Sequence, residues 1–251
     1  MRASRTGGLG GTIVLLALYA AATLLAFPPH GWWPLILLVP LALTGLAVSN
    51  LVWWKSAMLV GVVTIGTLFW MHRWVIPISP PGYVGMVVYH AAYPVAFVVL
   101  VRVVVHRAAA RMLPLALVVP VIWLALEYLR GAIVLHGFPW MFLGHPLIDA
   151  SSLAQAADLV GVYGVSGLVA FTSGALADAW LGTRFRRVTP VAAGVVVALT
   201  AIYGGWRLAQ SGPLRTGPTV LAVQTNVPQT NREAWSLTEQ IEAVRDFLQL
   251  T

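Results

Sequence analysis

Between Arg5 and Lys55 the chain carries no charged residue. A soluble domain cannot hide a stretch of that length from water. About 20 apolar residues, by contrast, cross the roughly 30 Å hydrocarbon layer of a bilayer as one helix. The rest of the chain continues the pattern, with 59% hydrophobic and only 9% charged residues, against about 25% charged in a typical soluble domain. The sequence reads as an α-helical integral membrane protein, and it excludes a cytosolic enzyme, a disordered chain and a disulfide scaffold.

Seven apolar segments qualify as spans: Thr12–Phe27, Trp33–Val48, Trp53–Met71, Val84–Val105, Pro114–Arg130, Gly161–Leu181 and Thr189–Leu208. Proline and glycine separate them, in FPPHGWWP at 27–34 and ISPPG at 78–82. With the N-terminus cytoplasmic, Arg2, Arg5, Lys55, Arg102, Arg107, Arg111, Arg184, Arg186 and Arg187 fall inside, and Arg73, Arg130 and Arg207 lie at the outer ends. That asymmetry follows the positive-inside rule and leaves the C-terminal tail outside. The first span also has the charged start and the Ala20-Ala21-Ala22 run of a signal peptide. A second apolar span follows at once, which favours an uncleaved helix. The net charge of +7 is therefore read as orientation, not as a nucleic-acid surface.

The long loop at 131–160 carries GFPW at 137–140, and Phe138, Trp140 and Phe142 suit the headgroup level of the outer face. Gln210–Pro218 reads as a linker closing a membrane bundle at 1–209. In the segment 219–251, TVLAVQ at 219–224 has the β-branched pattern of a buried strand. Ser236 to Glu239 is a capping box, and Leu237, Ile241, Val244 and Leu248 share one helix face. One strand and one helix cannot bury a core alone, so 219–251 reads as the start of an α/β domain.

Candidate chemistry is sparse. With no Cys there is no thiol nucleophile, thiolate metal site or disulfide. The six histidines show no metal-binding spacing, and neither a phosphate-binding loop nor a serine elbow is present. No catalytic residue, metal or cofactor is assigned. Glu127 and Arg130, near the outer end of the fifth span, are unusual because charges inside a membrane are costly. Their i,i+3 spacing lets them pair, either as an interfacial ion pair or at a substrate site. His90 reads as hydrogen-bonded packing. Ser166, Ala170, Gly174 and Asp178, spaced by four, suit close helix packing, with Asp178 within reach of Arg184 or Arg186.

Five strings, in order, resemble the apolipoprotein N-acyltransferase family: FPPHGWWP at 27–34, Trp123-x-x-x-Glu127-x-x-Arg130-Gly131, GFPW at 137–140, GVYGVS at 161–166 and VQTNVPQ at 223–229. The resemblance implies a seven-span bundle in the bacterial inner membrane, followed by a periplasmic nitrilase-like αββα domain that begins at 219. It also implies transfer of an acyl chain from a membrane phospholipid donor to the α-amino group of the diacylglyceryl cysteine of a lipoprotein acceptor, through a Glu–Lys–Cys triad. The 251 residues contain none of that triad: Cys is absent, and Lys55 falls on the inner side. Trp235 stands six residues past Gln229, later than the family pattern places a tryptophan. The expectation is an inactive membrane part, with the catalytic domain supplied by further sequence or by a partner chain. Glu127, Arg130, Phe138, Pro139, Trp140, Gln224 and Asn226 are expected to scaffold the lipid site. The rival reading is a non-catalytic membrane component, a transporter subunit or lipid-binding anchor.

Overall fold

The computed structural model describes residues 8–107, 113–210, 217, 218, 220, 222 and 236–250. Helices α1 (Leu9–Ala26), α3 (Trp53–Met71), α4 (Pro80–His106), α5 (Leu115–Tyr128), α7 (Ala157–Leu181) and α8 (Val188–Ala209) form the bundle. A 3-10 turn, Trp33–Leu37, leads into the short α2 (Leu38–Ala47). A single-turn α6 (Ser151–Ala154) precedes α7, and α9 (Leu237–Leu250) lies in the tail. Six helices, with α5 counted on to His136, are long and apolar enough to cross a membrane; the second expected span is the shorter apolar segment Trp33–Ala47.

Local chemistry sets the helix ends. Ser79 caps α4 by accepting from the Gly82 amide at 3.2 Å, and Pro80 and Pro81 occupy the first turn, where no amide hydrogen is needed. The helix thus starts a turn before the span read from hydropathy. Between α7 and α8, Gly182 ends α7 in the left-handed conformation. In the tail, Ser236 and Glu239 form the expected capping box, with the Glu239 amide donating to Ser236 Oγ at 3.3 Å and the Ser236 amide to Glu239 Oε2 at 2.7 Å. The Ser236 hydroxyl, donating to Oε2 at 2.8 Å, and the Ser236 amide hold the Glu239 carboxyl below its ordinary range. Of the expected strand at 219–224, Val220 and Ala222 belong to no helix or strand, and the other four residues lie outside the described residues.

The most extensive helix pairing joins α5 to α7. A Cβ on Gly174 would strike the Leu115 carbonyl and Ala116, so the small residue sets how closely these helices approach. Asp178 is fully buried in the same seam. Its carboxylate accepts from the Leu115 and Ala116 amides at 3.2 and 3.1 Å, and from the hydroxyls of Thr183 and Thr189 at 2.6 and 3.2 Å. Asp178, read from sequence as within reach of an arginine, thus caps a neighbouring helix, whose first turn follows Pro114 and has no capping side chain of its own. Across the bundle, Tyr19 of α1 bonds Thr64 of α3 at 2.9 Å, and Ser173 of α7 donates to the Leu37 carbonyl at 2.9 Å.

Three connections gather at one end. Gly31 lies against the Asp149 carboxylate, and Trp74 stacks on Trp140 with ring centroids 5.2 Å apart. At the other end, Arg102 of α4 donates to the Ala47 and Ser49 carbonyls at the end of α2, both at 3.2 Å.

Candidate functional site

The fifth helix does not end on a glycine cap. It widens into a π-turn at Leu129–Ile133 and then a 3-10 turn at Val134–His136. The wide turn carries Arg130 inward, where it is 6% exposed. Gly131 is needed here, since a Cβ would meet the Phe142 ring and the Tyr163 hydroxyl. The chain then doubles back. Gly137 has φ +94° and packs on the Gly131 carbonyl, and the Phe138 amide donates to the Arg130 carbonyl at 2.8 Å. Three residues with side chains, Leu135, His136 and Met141, hold φ of +54°, +62° and +53°. That region strains L-residues by about 1–2 kcal/mol each, and such strain persists only where surrounding contacts over-determine it.

The contacts that do so come from the two intramembrane charges. Arg130 donates to the carbonyls of Trp140 and Met141 and lies over the rings of Phe142 and Tyr93, at 5.1 and 5.5 Å from their centroids. Glu127, 3% exposed, accepts on Oε1 from the Leu143 amide at 2.6 Å and from the Trp123 indole at 2.8 Å. The ion pair that their spacing permits is therefore not formed. The cation takes the carbonyls of the returning loop and the carboxylate takes its amide. On the next residue, the Gly144 amide donates to Ser166 Oγ at 2.9 Å.

Beneath the loop is a cavity of about 90 Å³. Its end under the loop is bounded by Phe27, His90, Arg130, Met141 and Leu143, and its far end by Tyr19, Thr64, Phe97 and Trp123. On α1 the lining runs from Phe27 to Tyr19, two turns of helix, or about 12 Å of depth at 1.5 Å per residue. The walls are overwhelmingly apolar; the charged groups Glu127 and Arg130, with His90, lie at the end under the loop, and the hydroxyls of Tyr19 and Thr64 at the far end bond each other. His90 is 5% exposed; its Nδ1 bonds the Met86 carbonyl at 3.0 Å, which fixes the proton there, and its buried Nε2 has no partner. The His90 ring stacks on His72 at 5.5 Å and meets Phe138 edge-on at 5.1 Å. Outside the spans, His145 Nδ1 accepts from the Phe142 amide at 3.3 Å. Desolvation, with the Arg130 charge second, holds its imidazole below the ordinary value.

Of the residues singled out from sequence, Glu127 and Arg130 line the cavity, Trp140 supplies a carbonyl to its frame, and Phe138 packs against His90. Pro139 is exposed. Gln224 and Asn226 lie outside the described residues. Phe142, expected at the headgroup level, is 1% exposed, because the loop folds inward beneath Arg130 instead of lying on the surface. Sequence reasoning missed Met141, Leu143 and Tyr93, and read His90 as packing, with a place beside Glu127 and Arg130 only under the transporter reading. The i,i+3 spacing of His90 and Tyr93 on a span is the signal that pointed to them. Among the described residues no group of three or more metal-ligating side chains is present.

Residues 19–175, more than half of the chain, match the pattern of a family described as the apolipoprotein N-acyltransferase N-terminal domain. Among curated proteins, an apolipoprotein N-acyltransferase of Rhodopirellula baltica is 30% identical over 83% of this chain and 39% of its own length. One from Geobacter metallireducens is 33% identical over 82% of the chain and 38% of its length, and one from Vibrio parahaemolyticus is 27% identical over 94% and 47%. The chain spans about two fifths to one half of these relatives.

Proposed function

Because the chain belongs to the apolipoprotein N-acyltransferase family, we propose that it is the membrane part of an enzyme that moves an acyl chain from a phospholipid to the α-amino group of a lipoprotein's diacylglyceryl cysteine. The observation that carries this reading is the cavity: a largely apolar slot about 12 Å deep with its charged groups at one end and its far hydroxyls, Tyr19 and Thr64, bonded to each other. That is the shape and polarity of a site for a single hydrocarbon chain with an ester at its mouth. Deep burial of the chain holds the donor in place. Arg130, fixed by two carbonyls, offers positive potential beside the mouth, where an ester oxygen would sit.

Orientation belongs to the same proposal. The bundle crosses a bacterial inner membrane seven times, with α2 as the short traverse and the mouth of the cavity on the periplasmic side. The gathering of Gly31, Trp74, Trp140 and Asp149 at one end, and of Arg102 with the end of α2 at the other, supports alternate crossings. The periplasmic tail leads into the nitrilase-like domain. A chain without cysteine has no thiol to take up the acyl group. The 251 residues alone therefore transfer none, and the nucleophile comes from sequence outside them or from a partner chain.

A phospholipid with a photoreactive group at the end of one acyl chain tests the reading. Incubated with the purified chain in vesicles, it should label peptides carrying Tyr19, Phe97 or Trp123, and Thr23→Phe, which fills the slot, should abolish that labelling. Labelling confined to lipid-facing positions such as Val191 and Leu199, unchanged by Thr23→Phe, would refute it.

A further inference from the structure

We infer that the loop from Val134 to Leu143 is a strained lid, which opens the cavity to the outer face and is held shut by Glu127 and Arg130. This goes beyond the proposed acyl-chain site and holds whatever the cavity binds. Three observations converge. The cavity is walled largely by helices, whose backbone bonds are internal, and this loop supplies the remaining outer wall through Met141 and Leu143. It is thus the wall segment that moves without breaking a helix. The loop also carries three side-chain-bearing residues in the left-handed region within seven positions, so the closed form stores strain that an open form releases. The closing contacts, finally, are few and grouped: the Arg130 guanidinium on the Trp140 and Met141 carbonyls, the Glu127 carboxylate on the Leu143 amide, and Trp140 stacked on Trp74. Two charged side chains buried in a membrane bundle, both bonded to the backbone of one strained loop, make a latch with a small number of parts. Leu135 and His136, where two of the strained angles lie, point away from the cavity, and Leu135 is 72% exposed. The strain there serves no packing of its own.

The chain has no native cysteine, so Thr23→Cys places a single thiol inside the cavity. Its rate of reaction with a small charged methanethiosulfonate, measured on the full chain in detergent micelles, reports the open fraction without depending on orientation. Glycine adopts the left-handed region freely. On that background Leu135→Gly and His136→Gly should therefore each slow the reaction by roughly two- to fivefold, after allowing for glycine's added freedom in the open loop. Leu135→Ala trims the same side chain and keeps the strain, so it should not slow the reaction. Arg130→Lys, whose single nitrogen replaces the fork that places one nitrogen on each carbonyl, should speed it. The glycine variants relieve strain and remove no packing, so they fold even if the Arg130 variant does not. Glycine variants that react as fast as the parent or faster would overturn the lid, as would a Thr23→Cys thiol that reacts only after unfolding.

Discussion

Replacing Glu127 separates two accounts of an intramembrane carboxylate. In the structure, Oε1 receives two N–H donors, the Leu143 amide at 2.6 Å and the Trp123 indole at 2.8 Å. Glu127→Leu keeps the volume and leaves both donors without an acceptor in apolar surroundings. Each orphaned donor costs about 1–3 kcal/mol, so the variant should lose about 4 kcal/mol, a large share of the roughly 5–15 kcal/mol that holds a typical domain together. Glu127→Gln keeps an oxygen in the same place. It forgoes the charge assistance of both bonds but no longer confines a carboxylate to a low-dielectric interior. These effects oppose each other, and the net change should stay within about 1 kcal/mol. The assay is equilibrium unfolding of the full chain in mixed micelles with increasing SDS, followed by tryptophan emission, with hydrogen exchange read at the Leu143 amide. That amide should exchange faster in the Leu variant and at the parent rate in the Gln variant. A Leu variant as stable as the parent would refute the reasoning, and so would a Gln variant as damaged as Leu, since charge rather than an acceptor would then be what the site requires.

Other outcomes follow from the same geometry. Asp178→Ala removes the acceptor for the first two amides of α5 and should cost about 4 kcal/mol in the same unfolding assay, while Asp178→Asn, which keeps one oxygen and turns an NH2 toward the other amide, should cost about 2 kcal/mol. His145 is held below its ordinary pKa of 6.5 in the folded chain, so the unfolded chain binds the extra proton. Stability should therefore fall as pH drops below about 6.5, and His145→Asn should flatten that slope between pH 7.5 and 5. For the proposed orientation, single cysteines at Gly31 and Asp149 should react with an impermeant maleimide added from the outer face of whole cells, and a cysteine at Gly182 only after permeabilisation. Ser236→Ala should cost α9 about 1 kcal/mol of helix stability, seen as weaker amide protection over its first turn.

The parts of this fold that sequence made legible are those where cause and effect lie within one helical stretch. Span positions followed from uninterrupted apolar runs, because the bilayer demands a fixed length of them. The capping box at Ser236 and the close approach at Gly174 followed from spacing alone. Partners chosen across the bundle were not legible. Asp178 looked like a partner for Arg184 or Arg186, six and eight residues on, and it caps α5, some 60 residues earlier in the chain. Phe142 looked like an interfacial aromatic and is buried. In both cases a partner that arrived by tertiary packing set the side chain's role, and its own neighbourhood in sequence did not announce it. The shortness of α2 was hidden for a different reason. Trp33–Val48 is apolar throughout, but Pro40 has no amide hydrogen for the Ile36 carbonyl four residues back, so the α-helix starts just before it and the preceding residues take the 3-10 form.

Glu127 and Arg130 show why a charge inside a membrane protein need not mean an ion pair. An i,i+3 pair on a regular helix would neutralise itself locally, and nothing else would be gained. Here the helix widens at Leu129–Ile133, which turns Arg130 away from the line of its neighbour. Both groups then face a loop whose backbone must cross apolar surroundings with its carbonyls and amides unpaired by any helix or sheet. A bare carbonyl or amide in that setting is itself expensive. One guanidinium satisfies two carbonyls and one carboxylate satisfies an amide, so the desolvation of two charges and that of an irregular loop offset each other. The charges permit non-helical backbone at the mouth of an apolar cavity, where regular helices alone would have left either a solid bundle or an open hole.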